Sequence, residues 1–109
     1  VAAGADHAAI DSAAAARALF DRLVALSPEG SVAAYSLGDP ALLARVTDEV
    51  MDWLRGLGLL AGRPRVLDLG CGIGRFLAAL AGDAAFVVGV EVSEAMARTA
   101  RMRVPGAMV

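Results

Sequence analysis

Three glycines at alternate positions, Gly70, Gly72 and Gly74, constrain the fold of this chain more than any other feature. They follow a short apolar run, Arg65 to Leu69, which contains a single acid, Asp68. They precede a run in which apolar residues return at helical spacing. A strand, a glycine turn and a helix N-terminus form the corner at which open α/β sheets bind nucleotides. A side chain at any of the three glycines would stand where a ligand touches the backbone, so we predict a ligand site at this turn.

The spacing of the glycines separates two kinds of cofactor. The dinucleotide fingerprint Gly-x-Gly-x-x-Gly, counted from Gly70, needs a glycine where the chain has Arg75. Counted from Gly72, it needs a third glycine where the chain has Leu77. The pattern present is Asp-x-Gly-x-Gly-x-Gly, which starts at Asp68. A nicotinamide or flavin oxidoreductase is an alternative class, but its pyrophosphate would meet Arg75 in place of a third glycine.

A second acid, Glu91, follows the next apolar run, Phe86 to Val90, and lies 17 residues after Gly74. That distance leaves room for one helix and a short loop, so we expect two parallel, adjacent strands in a right-handed βαβ unit. The carboxylate of Glu91 then reaches the same sheet edge as the glycine turn. An acid at that place can accept hydrogen bonds from both hydroxyls of a ribose. The alternative is an exposed acid at a strand end that meets no ligand.

The two segments together resemble a known enzyme family. Residues 66–75 read Val-Leu-Asp-Leu-Gly-Cys-Gly-Ile-Gly-Arg and resemble the first motif of class I S-adenosylmethionine-dependent methyltransferases, and residues 86–96 resemble the segment that completes the motif. The resemblance implies an α/β fold with a Rossmann-like open parallel sheet, here its first βαβα portion preceded by N-terminal helices. It also implies S-adenosylmethionine as cofactor and methyl transfer to a small-molecule acceptor. The family's adenine contact after strand three and its substrate-facing motif after strand four are missing, so we expect a fragment that is inactive alone.

The resemblance also implies which residues contact the cofactor: Asp68, Gly70, Cys71, Gly72, Gly74, Glu91, Val92 and Met96. The turn would lie against the methionine portion, with Asp68 holding its ammonium group, and Glu91 would accept the ribose hydroxyls. Val92 and Met96 would flank the adenine ring. Two alternatives stay open, since Asp68 can satisfy amide groups of its own turn and Met96 can pack inside its helix. None of these residues is assigned a catalytic role, and Cys71 is taken as a small turn residue rather than a nucleophile.

Periodicity and capping residues predict the remaining elements. We divide the chain into an N-terminal tail and helix, residues 1–32, and the start of the cofactor-binding domain, residues 33–109. The long helix after Asp39 should bury a stripe that includes Leu43, Trp53 and Leu57. The predicted elements are helices at 13–26, 40–57, 75–81 and 94–102, strands at 65–69 and 86–90, a loop at 31–38, and the start of a third strand at 107–109.

Composition excludes several classes of function. The net charge is −2 with arginines and acids interspersed, so we expect no nucleic-acid partner and no basic membrane patch. One cysteine excludes an intrachain disulfide and fits a cytoplasmic protein, and no apolar run is long enough to span a membrane. No His or Cys cluster has metal-ligand spacing, and His7 is read as incidental. Tyr35 is interpreted either as part of a lid over the cofactor or as packing against Trp53. A non-catalytic remnant that binds cofactor or a partner is the second alternative.

Overall fold

The computed structural model describes residues 12–32 and 38–109. Within these residues the order of elements is α1 (Ala13–Leu26), α2 (Pro28–Val32), α3 (Pro40–Gly56), β1 (Arg65–Leu69), α4 (Arg75–Leu80), β2 (Phe86–Val90) and α5 (Glu94–Arg103). Both predicted strands and the four predicted helices are confirmed within one or two residues. None of the described helices is long and apolar enough to cross a membrane. His7 and Tyr35 lie outside the described residues.

The two strands pair in parallel, as the spacing of the motif predicted. Asp68 lies opposite Gly89 and Leu69 lies opposite Val90, so both strands end at the same edge of the sheet. Met108 forms a parallel bridge to Val88 and accepts a hydrogen bond of 2.8 Å from the Gly89 amide. This bridge confirms the start of a third strand. The described portion is therefore a partial Rossmann-like α/β fold.

The helices cover one face of this small sheet. The main core cluster joins α3, α4 and α5 to β2 and to the glycine turn, through Met51, Cys71, Leu77, Leu80, Ala84, Val87 and Ala100. None of the described helices covers the opposite face of the strands, where Leu67 and Leu69 are 58% and 73% exposed. Burial on one face fixes the register, because a shift of one residue would turn Val87 out of the core.

The segment after α1 forms a short helix, where the sequence predicted a turn running into a loop. Pro28 occupies the first position of α2, where a missing amide hydrogen is harmless. The Ser27 hydroxyl accepts a hydrogen bond of 3.0 Å from the Gly30 amide, so local capping overrides the Pro and Gly signals. An ion pair of 2.6 Å between Glu29 and Arg103 ties α2 to the end of α5. The loop prediction is therefore wrong for residues 31 and 32.

The long helix α3 begins as predicted but buries only part of the predicted stripe. The Asp39 side chain caps it by accepting from the amides of Ala41 and Leu42. The buried residues of α3 are Leu43, Thr47 and Met51. Trp53 is 63% exposed and Leu57 is 55% exposed, so their predicted burial is wrong. The polar Thr47 can be buried because its hydroxyl donates to the Leu43 carbonyl at 2.8 Å.

Candidate functional site

A cleft of about 630 Å³ opens at the carboxyl edge of the sheet. It collects the ends of both strands, the glycine turn, the first residues of α4 and α5, and part of the N-terminal segment. Parallel sheets bind ligands at this edge because loops there diverge to opposite sides. Seven of the eight predicted contact residues line it: Asp68, Gly70, Cys71, Gly72, Glu91, Val92 and Met96. Gly74 is the one that does not.

The backbone amides of the glycine turn already have acceptors inside the protein. Gly70 and Cys71 donate to the Val90 carbonyl at 2.7 and 3.1 Å, and Gly74 donates to the Cys71 carbonyl at 3.0 Å. The Gly72 amide donates to Glu91 Oε2 at 2.9 Å. The end of β2 therefore holds the turn in place. These four amides are not open to an anionic ligand in this conformation.

Glu91 is fixed between the turn and the start of α5. Its Oε2 accepts from the Gly72 amide at 2.9 Å and its Oε1 accepts from the Ser93 amide at 2.8 Å. A carboxylate has about four lone-pair positions, so each oxygen keeps one for a ligand. The carboxylate of Glu91 is thus oriented before any ligand arrives, and Glu91 is part of the wall of the cleft.

Asp68 and Arg75 are the other two charged groups of the cleft. Burial raises the pKa of Asp68, the positive charge of Arg75 opposes that shift, and the negative charge of Glu91 adds to it. An ionised carboxylate held under these conditions interacts strongly with an added cation, because water screens it poorly. No hydrogen bond joins Asp68 to the amides of its own turn among the described residues, where Gly70, Cys71 and Gly74 use backbone carbonyls instead.

Arg75 is a functional candidate that the sequence analysis did not assign. One guanidinium nitrogen donates to the Thr47 hydroxyl at 3.2 Å, and the guanidinium carbon lies 4.5 Å from the centre of the Phe76 ring. Arg75 forms no ion pair with a carboxylate in the described part of the chain. Its side chain is partly buried, whereas the other described arginines are exposed. A partly buried cation that lines a cleft and has no direct ion-pair partner marks a place for an anionic group of a ligand. Its position directly after the turn was the available signal.

The side chains of the turn alternate between two apolar clusters. Cys71 belongs to the main core, where burial above all raises the pKa of its thiol to about 11. Ile73 is fully buried in a second cluster with Val24 of α1 and Met96 of α5. Met96 therefore lines the cleft and also packs inside the protein, so both interpretations of this residue describe part of its surroundings. Val92 is half exposed at the cleft.

The N-terminal segment supplies a wall that the sequence analysis did not identify. Phe20 of α1 and Ser31 and Val32 of α2 line the cleft. A Cβ atom added to Gly72 would lie 2.8 Å from Val32 Cγ1. The approach of α2 to the glycine turn therefore depends on the missing side chain at position 72. Periodicity showed that α1 is amphipathic, but it carried no information on which element α1 covers.

Gly70 and Gly74 differ in what surrounds them. Both have positive φ angles, 77° and 82°. Apart from its chain neighbours, no atom of the described residues lies within 4 Å of a Cβ atom added at Gly70, whereas a Cβ atom at Gly74 would lie 3.0 Å from Ala100 Cβ and 3.1 Å from Ala100 Cα. Gly74 therefore allows the turn to approach α5 closely, and Gly70 faces open space beside the cleft.

Comparison with known proteins finds similarity to methyltransferases. The model of the methyltransferase-domain family matches residues 66–108. The structure of magnesium protoporphyrin IX methyltransferase from Synechocystis PCC 6803 with bound SAM is 31% identical, with a TM-score of 0.62 over 88% of this chain and 48% of the other. This chain thus spans about half the length of that protein. No curated protein sequence matches the chain.

Two further structures are similar. DesVI from Streptomyces venezuelae is 28% identical, with a TM-score of 0.52 over 68% of this chain and 30% of the other. Phosphoethanolamine N-methyltransferase 1 from Haemonchus contortus, solved with phosphoethanolamine and S-adenosylhomocysteine, is 23% identical, with a TM-score of 0.56 over 89% of this chain and 21% of the other. At that identity the similarity establishes the fold. Within residues 12–32 and 38–109, no group of three or more His, Cys, Asp or Glu side chains could hold a metal ion.

Proposed function

Since the chain carries part of a class I S-adenosylmethionine-dependent methyltransferase domain, we propose that its cleft binds S-adenosylmethionine and that the protein transfers the methyl group to a small-molecule acceptor. The observation that carries this proposal is the orientation of Glu91. Its carboxylate is held by two backbone amides at the sheet edge where a ribose is expected, with acceptor positions to spare.

The charges of the cleft support the same ligand. S-adenosylmethionine has a cationic ammonium group, a cationic sulfonium and one carboxylate. The cleft has two acids, Asp68 and Glu91, and one cation, Arg75. Asp68 suits the ammonium group, and Arg75 suits the carboxylate because the turn amides already have acceptors. The residues of the cleft therefore complement the cofactor in number and sign of charge.

The residues of the cleft position the cofactor and need not exchange protons. The cofactor supplies a methyl group on a sulfonium, whose leaving group is already activated. Alignment of reacting groups can contribute about 7–11 kcal/mol to lowering a barrier. Asp68 and Arg75 hold the methionine end of the cofactor and Glu91 holds its ribose, while the apolar side chains of Phe20 and Val32 line the cleft beside them.

A dinucleotide oxidoreductase is disfavoured by the same contacts. A pyrophosphate carries negative charge and is normally bound by free amides at a glycine turn. Here the amides of Gly70, Cys71 and Gly72 are already hydrogen-bonded, and two carboxylates face the cleft. A non-catalytic role of the same domain would leave cofactor binding intact and abolish turnover. Only a measurement of methyl transfer therefore distinguishes this alternative from the proposed function.

Calorimetric titration of the purified protein with S-adenosylhomocysteine and, separately, with NADH tests the proposed cofactor. We expect saturable binding of S-adenosylhomocysteine and none of NADH at the same concentrations. Binding of NADH alone would refute the assignment. Because this chain is expected to be inactive alone, turnover is tested in a protein that also carries the missing segments after strands three and four. Methylated product from a panel of small-molecule acceptors with labelled S-adenosylmethionine would establish turnover there, and binding without any transfer in that longer protein would favour the non-catalytic alternative.

A further inference from the structure

A chain of hydrogen bonds runs from the N-terminal helix α1 to the cofactor turn. Asp21 Oδ1 on α1 accepts from the Ser93 hydroxyl at 2.6 Å and from the Ala95 amide at 3.2 Å. The Ser93 hydroxyl in turn accepts from the Met96 amide at 3.1 Å. The Ser93 amide donates to Glu91 Oε1, and Glu91 Oε2 accepts from Gly72. The two ends of this chain of contacts are 51 residues apart in sequence.

Ser93 is the centre of this arrangement. Its side chain is fully buried and is the N-cap of α5. Its hydroxyl has one hydrogen to donate, and that hydrogen goes to Asp21. Without Asp21, a buried hydroxyl and the Ala95 amide lose their acceptor, which favours rotation of the serine or movement of the turn. The residue that holds Glu91 is therefore itself held from α1.

Charge around Asp21 supports this placement. Hydrogen bonds from the Ser93 hydroxyl and the Ala95 amide lower the pKa of Asp21, and the positive charges of Arg17 and Arg98 lower it further, whereas burial raises it. Arg17 pairs with Glu94 at 2.8 Å, next to the same helix start. The carboxylate of Asp21 is therefore ionised near neutral pH, and an anion beside the first turn of α5 is also favoured by the helix dipole.

We propose that Asp21 is a positioning residue for the cofactor site, which acts through Ser93 to hold Glu91 in its ribose-accepting orientation. The proposal rests on the proposed function. It makes docking of α1 and binding of the cofactor one coupled equilibrium, because Phe20 of the same helix also lines the cleft. Coupling is reciprocal, so the cofactor stabilises α1 on α5 as much as docked α1 strengthens cofactor binding.

The test combines cofactor affinity with proteolysis of α1. Trypsin cleaves after arginine, and Arg17 and Arg22 flank Asp21 on exposed positions of α1. In the wild-type protein, saturating S-adenosylhomocysteine should slow cleavage at both sites by about tenfold, within the range usual for coupled sites. Asp21→Ala should lose that protection and bind S-adenosylhomocysteine about tenfold more weakly. Asp21→Asn keeps the accepting oxygen and should behave nearly as the wild type.

Asp48→Ala is the matched control, since Asp48 is exposed on α3, away from the cleft. It should leave both affinity and protection unchanged. Wild-type affinity in a folded Asp21→Ala protein, or failure of Asp21→Asn to restore it, would overturn the proposal.

A protein that does not bind S-adenosylhomocysteine at all would refute the proposed function but would not by itself decide the role of Asp21. Amide exchange of Gly72 and Ser93 in the ligand-free protein decides it, because both amides donate to Glu91. Faster exchange at these two amides in Asp21→Ala than in wild type and Asp48→Ala is the expected result. Equal exchange in the three proteins would contradict the coupling.

Discussion

Gly89 should be intolerant of even a single added methyl group, because the glycine turn packs directly on it. A Cβ atom at Gly89 would lie 2.6 Å from Cys71 Sγ, 2.9 Å from Leu77 Cδ1 and 3.1 Å from Cys71 Cβ. Carbon contacts are normally about 3.5–4.0 Å, so Gly89→Ala forces the neighbours apart by about 1 Å. Those neighbours are buried in the main core and cannot move freely.

The cost can be estimated from two opposing effects. Overpacking of a core costs about 1–3 kcal/mol, and replacing glycine by alanine inside a strand recovers about 0.5–1 kcal/mol. We expect Gly89→Ala to lower the free energy of unfolding by about 1 kcal/mol, within a range of about 0–2.5 kcal/mol, with a fall in melting temperature of about 4–8 °C for each kcal/mol. Urea denaturation followed by circular dichroism measures this change.

A double-mutant cycle with Cys71→Ala isolates the contact. Removing the sulfur relieves the shortest of the three contacts, so Gly89→Ala should cost about 1 kcal/mol less in the Cys71→Ala background. Gly56→Ala is the control, because a Cβ atom there meets no side chain of the described residues within 4 Å, and it should stabilise the protein by about 0.4–1 kcal/mol. If Gly89→Ala costs the same with and without the cysteine sulfur, the contact does not limit packing and the reasoning is wrong.

Three further predictions concern the site. Because burial raises the pKa of the Cys71 thiol to about 11, the folded protein should react with iodoacetamide at pH 8 far more slowly than the urea-unfolded protein, and equal rates would contradict this. Burial also raises the pKa of Asp68, so the folded state loses stability as the pH rises through the raised pKa of this carboxyl group. Asp68→Asn should therefore stabilise the protein at pH 7 while weakening S-adenosylhomocysteine binding. A lower melting temperature of Asp68→Asn would contradict the raised pKa. Gly74→Ala should mainly lower the stability of the protein, because the added methyl group would clash with Ala100, whereas Gly70→Ala should mainly lower the affinity for S-adenosylhomocysteine. A loss of affinity in Gly74→Ala and a loss of stability in Gly70→Ala would show that the two glycines are wrongly assigned.

The sequence was most informative where local signals and the motif agree. Strand β1, the glycine turn, strand β2 and the Ser93 cap of α5 follow from period, spacing and capping chemistry, and the structure has them within a residue. Asp68 and Glu91 come to one sheet edge because parallel strands end together. These features need only neighbours within about 30 residues.

Features that depend on distant contacts were not predictable in the same way. The buried stripe of α3 runs through Thr47 rather than Trp53, since tertiary packing decides which side of the helix is covered. The roles of Asp21 and Arg75 arise from side chains that meet only after α1 and α3 have docked on the motif. Neither an aspartate on an exposed helix nor an arginine after a turn is distinctive in sequence.

The central claim is that Glu91 is the ribose acceptor of an S-adenosylmethionine site. Its most direct test is calorimetric titration of the wild-type protein, Glu91→Gln and the control Glu49→Gln with S-adenosylhomocysteine. Glu49 is exposed on α3, outside the cleft. Loss of charge-assisted hydrogen bonds worth about 1.5–3 kcal/mol predicts about 10- to 160-fold weaker binding by Glu91→Gln and no change in Glu49→Gln. An affinity of folded Glu91→Gln equal to that of the wild type would contradict the claim.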